Sequence, residues 1–373
     1  MREAVERNSR TGRSRAILAT AVSILACLPL AAQQAEVRVY NWSDYIDPKL
    51  LTQFEEETGI KVVYDELESN QILETKMLAG NSGYDVVVPS DSYLQRQIAA
   101  GVYRPLDKAL LPNIGNLWDA VTRQTDAFDP GGVYSINYMW GTTGIGYDRD
   151  AVKARLGTDT VDSWGVIFDP DQIAKLADCG VYLLDTPGAV FPAAMAYLGL
   201  DPASTHPDDW QRAADLVMSI RPYVAKFDSS GYVDALASGD ACLVIGWSGD
   251  VLQARDSAAK AVNGKHIAYV IPKEGAQMWF DQMAIPRDAP NPEAAHRFLD
   301  FILRPDVIAA ASNYVHYANG NKASQALLDP DILDDPAIYP PPDVMERLFV
   351  VPTSDTNITR LITRMWTRIK TGA

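Results

Sequence analysis

Cysteine and histidine are scarce, with 3 and 4 in a chain of 373 residues. His206, His266, His296 and His316 share no metal-ligand spacing, which argues against a histidine metal centre. His296 reads as part of a helix and His316 as a helix end, both structural in role. Positive charge is also short: 33 Lys and Arg face 48 Asp and Glu, for a formal charge of −15. Such a surface repels nucleic acid and anionic lipid and attracts cations. No stretch after residue 35 stays apolar for the roughly 18 residues of a membrane span. Nucleotide-binding signatures are missing. Gly141–Gly146 reads GTTGIG, which lacks the order G-x-G-x-x-G, and no G-x-x-x-x-G-K-[ST] occurs. Gly246–Asp250 reads GWSGD, close to the nucleophile elbow G-x-S-x-G, but Asp250 stands where the tight turn needs glycine. A secreted hydrolase using Ser248 is therefore the weakest reading. No catalytic residue, metal or cofactor is expected.

The N-terminus has a composition of its own. Arg2, Arg7, Arg10, Arg13 and Arg15 precede an apolar run from Ala16 to Leu30, then small residues at Ala31, Ala32 and Ala35. That three-part layout is a secretory signal peptide over residues 1–35, cleaved after Ala32 or Ala35. Ile24–Cys27 is a poor lipoprotein box that would anchor the chain at Cys27. The leader holds 5 of the 33 basic and 2 of the 48 acidic residues, so the remainder carries 28 and 46, a formal charge of −18. Export, to the periplasm, leaves Cys179 and Cys242 as one pair. In an exported chain this favours a disulfide over two separate buried thiols. Such a cross-link would contribute about 4 kcal/mol in the chain-entropy model.

From Glu36 the sequence alternates strands and helices. Val37–Tyr40, Ile60–Tyr64 and Tyr84–Val88 are predicted strands. Helices follow each, from Asp47-Pro48, from Asn70 and from Asp91. This order argues for a parallel sheet covered by helices, an α/β fold. Tyr134–Met139 and Gly144–Tyr147 are predicted to pair across a Gly-Thr-Thr-Gly turn. A second α/β block then runs to a closing helix from Asp355 to about Lys370, with Ile358, Leu361, Ile362 and Met365 on its apolar face. No long linker separates the blocks, which suggests two lobes joined by several crossings. The expected division is 36–141 with 263–308 for the first lobe and 142–262 with 309–373 for the second.

In open α/β sheets ligands sit outside the carboxyl ends of strands. Four stretches fall at such predicted ends: NWSDY (41–45), PSDSY (89–93), IGWSGD (245–250) and WFDQM (279–283). Three pair an aromatic with a carboxylate: Trp42 with Asp44, Trp247 with Asp250, and Trp279 with Asp281. The other offers Ser90, Asp91, Ser92 and Tyr93. Tyr317 follows a predicted helix. Aromatic faces and carboxylates share one guest, an organic cation. A ring face attracts an ammonium by roughly 0.5–2 kcal/mol. A charge-assisted hydrogen bond to a carboxylate adds about 1.5–3 kcal/mol. Rings also suit methylene groups, so the pattern fits an aliphatic polyamine.

Longer stretches carry a resemblance. VYNWSDYI, FEEETGIKVVYD, YDVVVPSDSYL, YMWGTTGIGYD, GDACLVIGWSGDV, IPKEGA, NYVHYANGNKA and IYPP occur in this order between Val37 and Lys370. They resemble the periplasmic polyamine-binding proteins of bacterial ABC transporters, most closely the putrescine-binding members. The resemblance implies a type II periplasmic-binding fold, two α/β lobes around a central ligand cleft, and a monomer that hands a small cationic polyamine to an inner-membrane permease. It implies a ligand set of Trp42, Ser43, Tyr45, Ser90, Trp247, Asp250, Trp279, Asp281 and Tyr317, with Asp44, Asp91 and Tyr93 as possible additions. Asp281 would hold one ammonium and Asp250 another part of the amine. Cys179 and Cys242 match the family's disulfide. LDTP (184–187) is followed by Gly188-Ala189-Val190, where the putrescine receptor has a glutamate, and Trp279 replaces a Phe. Asp91 stands at a small residue. These changes leave putrescine, spermidine or a related amine as the expected guest. The same fold serving as an amine sensor for a signalling partner is the alternative.

Overall fold

A computed structural model describes residues 35–353 and 355–372. The leader, its cleavage point at Ala32 and the lipid box at Cys27 lie outside the described residues. Eleven strands form in the described part: β1 (Glu36–Trp42), β2 (Lys61–Leu67), β3 (Val86–Val87), β4 (Ser135–Asp148), β5 (Val181–Leu183), β6 (Lys226–Phe227), β7 (Leu243–Trp247), β8 (Ile267–Val270), β9 (Ala276–Ala284), β10 (Ala318–Asn319) and β11 (Leu348–Phe349). Their main order is β2-β1-β3-β9-β4-β7-β5-β6, with β8 and β10 on β4 and β11 on β9.

The opening β-α units form as read. In β1, Val37 and Val39 are buried while Arg38 between them is exposed, the period of two that a half-covered strand demands. Asp47 caps the helix Pro48–Thr58 by accepting from Lys49 N–H, Leu50 and Phe54 face the core, and Gly59 ends the helix at φ 70. β1, β2 and β3 are parallel. The sheet is nonetheless mixed, because β9 lies antiparallel to both β3 and β4.

β4 departs from the sequence reading. Tyr134–Met139 and Gly144–Tyr147 are not two strands around a turn but parts of one continuous 14-residue strand. Gly141, Gly144 and Gly146 have no positive φ and serve close packing instead. A Cβ on Gly141 would lie 2.6 Å from the Trp279 ring, and one on Gly144 2.5 Å from Tyr269 Oη. The first part of β4 pairs with β9 and the second with β7 and β8. One strand thus belongs to both halves of the molecule.

The two α/β halves each have a core. One contains Val37, Val39, Phe54, Val86, Phe298 and Leu299, the other Val181, Leu183, Phe191, Val217, Val244 and Trp366. The boundary expected at 308/309 falls inside the helix Pro305–Val315, whose Val307, Ile308, Ala311 and Val315 share the first core. Cys179 and Cys242 form the disulfide, with Cα atoms 5.5 Å apart. Among the described residues, no helix is long and apolar enough to cross a membrane.

Candidate binding site

Trp42 and Trp247 are the last residues of β1 and β7, as the strand-end argument requires. Asp281 is placed differently. It lies inside β9, not at a strand end. It reaches a strand end all the same, because β3 stops at Val87. Val87 pairs with Ala284, and past that pair this flank of β9 is met by Pro89, whose carbonyl accepts from Gln282 N–H at 3.0 Å, by Ser90, bridged to Asp281, and by the Asp91 carboxylate.

Around Asp281 the hydrogen bonds are short. Ser90 Oγ donates to Oδ1 at 2.6 Å and Tyr45 Oη to Oδ2 at 2.9 Å. Ser90 precedes the helix Asp91–Ala99 but does not cap it with its side chain, which is committed to Asp281. Asn70 holds Ser90 in place, donating to its hydroxyl at 2.9 Å and accepting from its N–H at 3.0 Å. Tyr45 is held by Tyr138, whose hydroxyl donates to Tyr45 O at 2.6 Å.

Asp250 is built in the same way from the other half. It lies in the first turn of the helix Ser248–Ala261, where backbone N–H groups favour a carboxylate. Tyr317 Oη donates to Oδ1 at 2.6 Å and accepts from Asp250 N–H at 3.1 Å. Tyr232 Oη donates to Oδ2 at 2.8 Å. Gly249 is obligatory here, since a Cβ would sit 2.4 Å from the Tyr317 ring.

Aromatic rings join the two carboxylates. Tyr317 meets Tyr45 edge-on at 5.3 Å and Trp279 at 5.3 Å. Tyr232 meets Trp247 at 6.2 Å, and Trp247 packs against both cores. Tyr45, Ser90, Trp247, Asp250, Trp279, Asp281 and Tyr317 therefore form one contiguous array.

The other expected residues stand apart from these contacts. Trp42 packs beside the first core, with its carbonyl accepting from Tyr64 Oη at 3.2 Å. Ser43 is exposed and donates to Glu66 at 3.2 Å. Asp44 is exposed at φ 52, and its charge is felt at Asp250. Asp91 is buried, but its oxygens accept from Ser92 N–H at 2.5 Å and Phe280 N–H at 3.2 Å. Tyr93 lies under the Arg96 guanidinium, 4.2 Å away. A Cβ on Gly188 would meet nothing within 4 Å, so that position is open. Ser248 Oγ accepts from Thr142 N–H. His296 accepts from Asp107 N–H at 3.0 Å and bonds Pro292 O, a purely structural setting.

Two supporting residues escaped sequence reasoning, Tyr232 and Asn70. Tyr232 begins a short helix, Tyr232–Ser238, as an ordinary core aromatic would, and no local signal marks it. Asn70 reads as a helix start, and only the fold brings it to Ser90.

The electrostatics are unusual. Burial pushes the Asp281 carboxyl up to about 6, with the bonds from Ser90 and Tyr45 holding it down in part and Asp250 pushing it further. Burial likewise raises Asp250, against the bonds from Tyr317 and Tyr232. Burial pushes Asp91 up to about 7. The ion pairs among the described residues reach none of these three acids. Buried carboxylates normally have a cationic partner. What the array supplies is negative oxygens held by hydroxyls and flat rings between them, a setting for an organic cation. No group of three or more metal-ligating side chains occurs among the described residues.

Comparison with known proteins agrees. Residues 49–340 match the model of the bacterial extracellular solute-binding protein family. The chain is 48% identical to the putrescine-binding periplasmic protein PotF of Escherichia coli, over 95% of this chain and 97% of that one. It is 47% identical to the putrescine-binding periplasmic protein SpuD of Pseudomonas aeruginosa, over 97% and 99%. A solved structure, a putative spermidine/putrescine ABC transporter protein from Listeria monocytogenes, superposes with a TM-score of 0.79 at 31% identity, covering 91% of this chain and 99% of that one. The match to the family model and the identity to these relatives place the chain in the bacterial extracellular solute-binding protein family.

Proposed function

We propose that this chain is a periplasmic receptor that binds an aliphatic polyamine between two lobes and hands it to an ABC transporter permease, without chemical turnover. The observation that carries the reading is the pair Asp250 and Asp281. Asp281 is buried and Asp250 half-buried, loss of water raises both, and among the described residues neither has a cationic side chain paired with it. Their ionised forms await a guest that brings positive charge at spaced points along a greasy chain. The putrescine-binding names of the relatives support the same class.

In this reading Asp281 and Asp250 neutralise the ammonium groups. Trp247, Trp279, Tyr45 and Tyr317 cover the methylenes, Ser90 steadies Asp281, and Trp42, ending β1, and Ser43, directly after it, stand beside the array. The lobes are 36–141 with 263–308 and 142–262 with 309–373, except that residues 309–315 go with the first, where the helix Pro305–Val315 packs. The leader exports the chain, which works as a monomer in the periplasm.

Calorimetric titration of the mature chain with putrescine, cadaverine, agmatine, spermidine and spermine tests this. Heat and a raised melting temperature are expected with at least one. A ligand at 100 times its dissociation constant adds about 2.7 kcal/mol of stability. Absence of heat with all five would refute the proposal.

A further inference from the structure

We infer that Tyr232 is a positioning residue of the polyamine site, fixing the Asp250 carboxylate and the Trp247 backbone in one geometry through a single hydroxyl. The inference rests on the polyamine reading and adds to it a residue outside the expected ligand set.

The geometry is specific. Tyr232 is fully buried, on the first turn of its helix. Its hydroxyl donates to Asp250 Oδ2 at 2.8 Å and accepts from Trp247 N–H at 3.1 Å. Its ring meets the Trp247 indole at 70°. It also closes on Gly246, where a Cβ would lie 2.8 Å from the Tyr232 ring, so no larger residue fits beneath it. One phenol thus ties together Trp247, the aromatic that ends β7, and the acid three residues further on.

A hydroxyl at this point does two things. It donates to one carboxylate oxygen while Tyr317 donates to the other, so both oxygens are oriented before a guest arrives. Each oxygen keeps a second lone pair for an ammonium. Donation also favours the ionised carboxylate against its burial. The other groups to weigh are Asp44, at the exposed loop after β1, whose charge raises Asp250, and Asp281, across the ring array, which Asp250 itself pushes up. Both are acids and neither offers a compensating proton. The two tyrosines are therefore what keep Asp250 available as an anion.

The test is Tyr232→Phe, which keeps the ring and removes the hydroxyl, titrated with putrescine between about pH 5.5 and 8.5. Loss of a hydrogen bond to a charged group predicts binding about tenfold weaker at neutral pH. It also predicts that the acid limb of the affinity profile moves to higher pH, because Asp250 ionises less readily. In an Asp250→Asn background the same change should cost little, since the two act as a unit. A profile that superposes on wild type would overturn the inference. So would a uniform loss at every pH, or full additivity with Asp250→Asn, because simple packing gives those results. If Tyr232→Phe fails to fold, 3-fluorotyrosine at 232 keeps the shape and strengthens the donor. The acid limb should then move to lower pH, and an unmoved limb would count against the role. Wild-type chain that binds no amine would take down the polyamine reading itself, an outcome separate from Tyr232→Phe that binds like wild type.

Discussion

The ligand-free protein should become more stable as pH falls from about 8.5 to 5.5, and the bound protein should lose its ligand over the same range. Asp281 has a folded pKa of about 6 and Asp91 of about 7, against 3.8 when exposed. A raised carboxylate favours the folded state below its unfolded value, and that contribution is lost as pH rises through the folded one. The window is therefore about pH 4 to 7. Summed through the linkage relation, the two acids add about 3 kcal/mol on going from pH 8.5 to 5.5. Asp281 is part of what raises Asp91, so the sum is an upper figure. His316, held below 6.5 by burial, works in the opposite direction under pH 6.5. Hydrogen bonds from Arg155 and Arg304 hold Asp178 and Asp306 low, so those acids act only below about pH 4. The net gain is about 2 kcal/mol, or about 3 °C in a chain of this size. Thermal melts of dialysed protein read it directly. With saturating putrescine the order should invert, because the ammonium needs ionised Asp281, and affinity should fall about tenfold per pH unit below 6. A ligand-free melting temperature that is flat or falls towards pH 5.5 would refute the reasoning about burial. A dissociation constant equal at pH 7.5 and 5 would remove Asp281 as counter-charge.

Other perturbations read different parts of the array. Asp281→Asn should weaken putrescine binding at least about tenfold while leaving the ligand-free melting temperature equal or higher, since a buried charge is gone; unchanged affinity in calorimetry would exclude Asp281 from the site. Trp247→Ala should cost more affinity than Trp118→Ala, because Trp118 lies under Lys322 away from the ring array; equal losses would defeat the role given to the ring. Gly249→Ala drives a Cβ to 2.4 Å from Tyr317, and should destabilise by about 1–3 kcal/mol in denaturant melts and weaken binding together. Replacing both Cys179 and Cys242, which are 63 residues apart, should cost about 4 kcal/mol in the same melts.

Much of this was legible in the sequence, for identifiable reasons. Val37 and Val39 alternate with Arg38, and Asp47-Pro48 and Gly59 bound a helix, so the first units follow from local rules. Trp42 and Trp247 end strands because apolar runs stop there. The glycines of β4 misled, since Gly141 and Gly144 read as turn residues when their purpose is to admit Trp279 and Tyr269. That purpose exists only once β8 and β9 are laid beside β4, a contact more than a hundred residues away in sequence. Tyr232 was invisible for the same reason. Its hydroxyl acquires a task only when the helix Tyr232–Ser238 packs beside β7. Asp281 was found by its aromatic neighbour, though the strand-end argument put it in the wrong part of its strand. It reaches the site because β3 is two residues long, so that beyond it β9 faces Pro89, Ser90 and Asp91 rather than a longer strand.

Energetics separates a binding array from a stabilising one. A buried acid without a cationic partner costs the fold, and the raised pKa of Asp281 is the measure of that cost. Tyr45, Ser90, Tyr232 and Tyr317 offset part of it, but hydroxyls return less than a full opposite charge would. A chain selected for stability alone would do better with an apolar residue or an ion pair at both positions. The two acids are also coupled, since Asp250 pushes Asp281 up. A cation lying along Trp279 and Tyr317 between them lowers the cost of both ionisations at once. The interaction is therefore strongest for a guest with positive charge near each acid and methylenes between. A monoamine relieves one acid only, so among amines of similar length the diamine should bind more tightly than its monoamine analogue, by about tenfold or more. Calorimetry with putrescine against butylamine measures this difference, and equal affinities would mean that Asp250 and Asp281 do not act on one ligand.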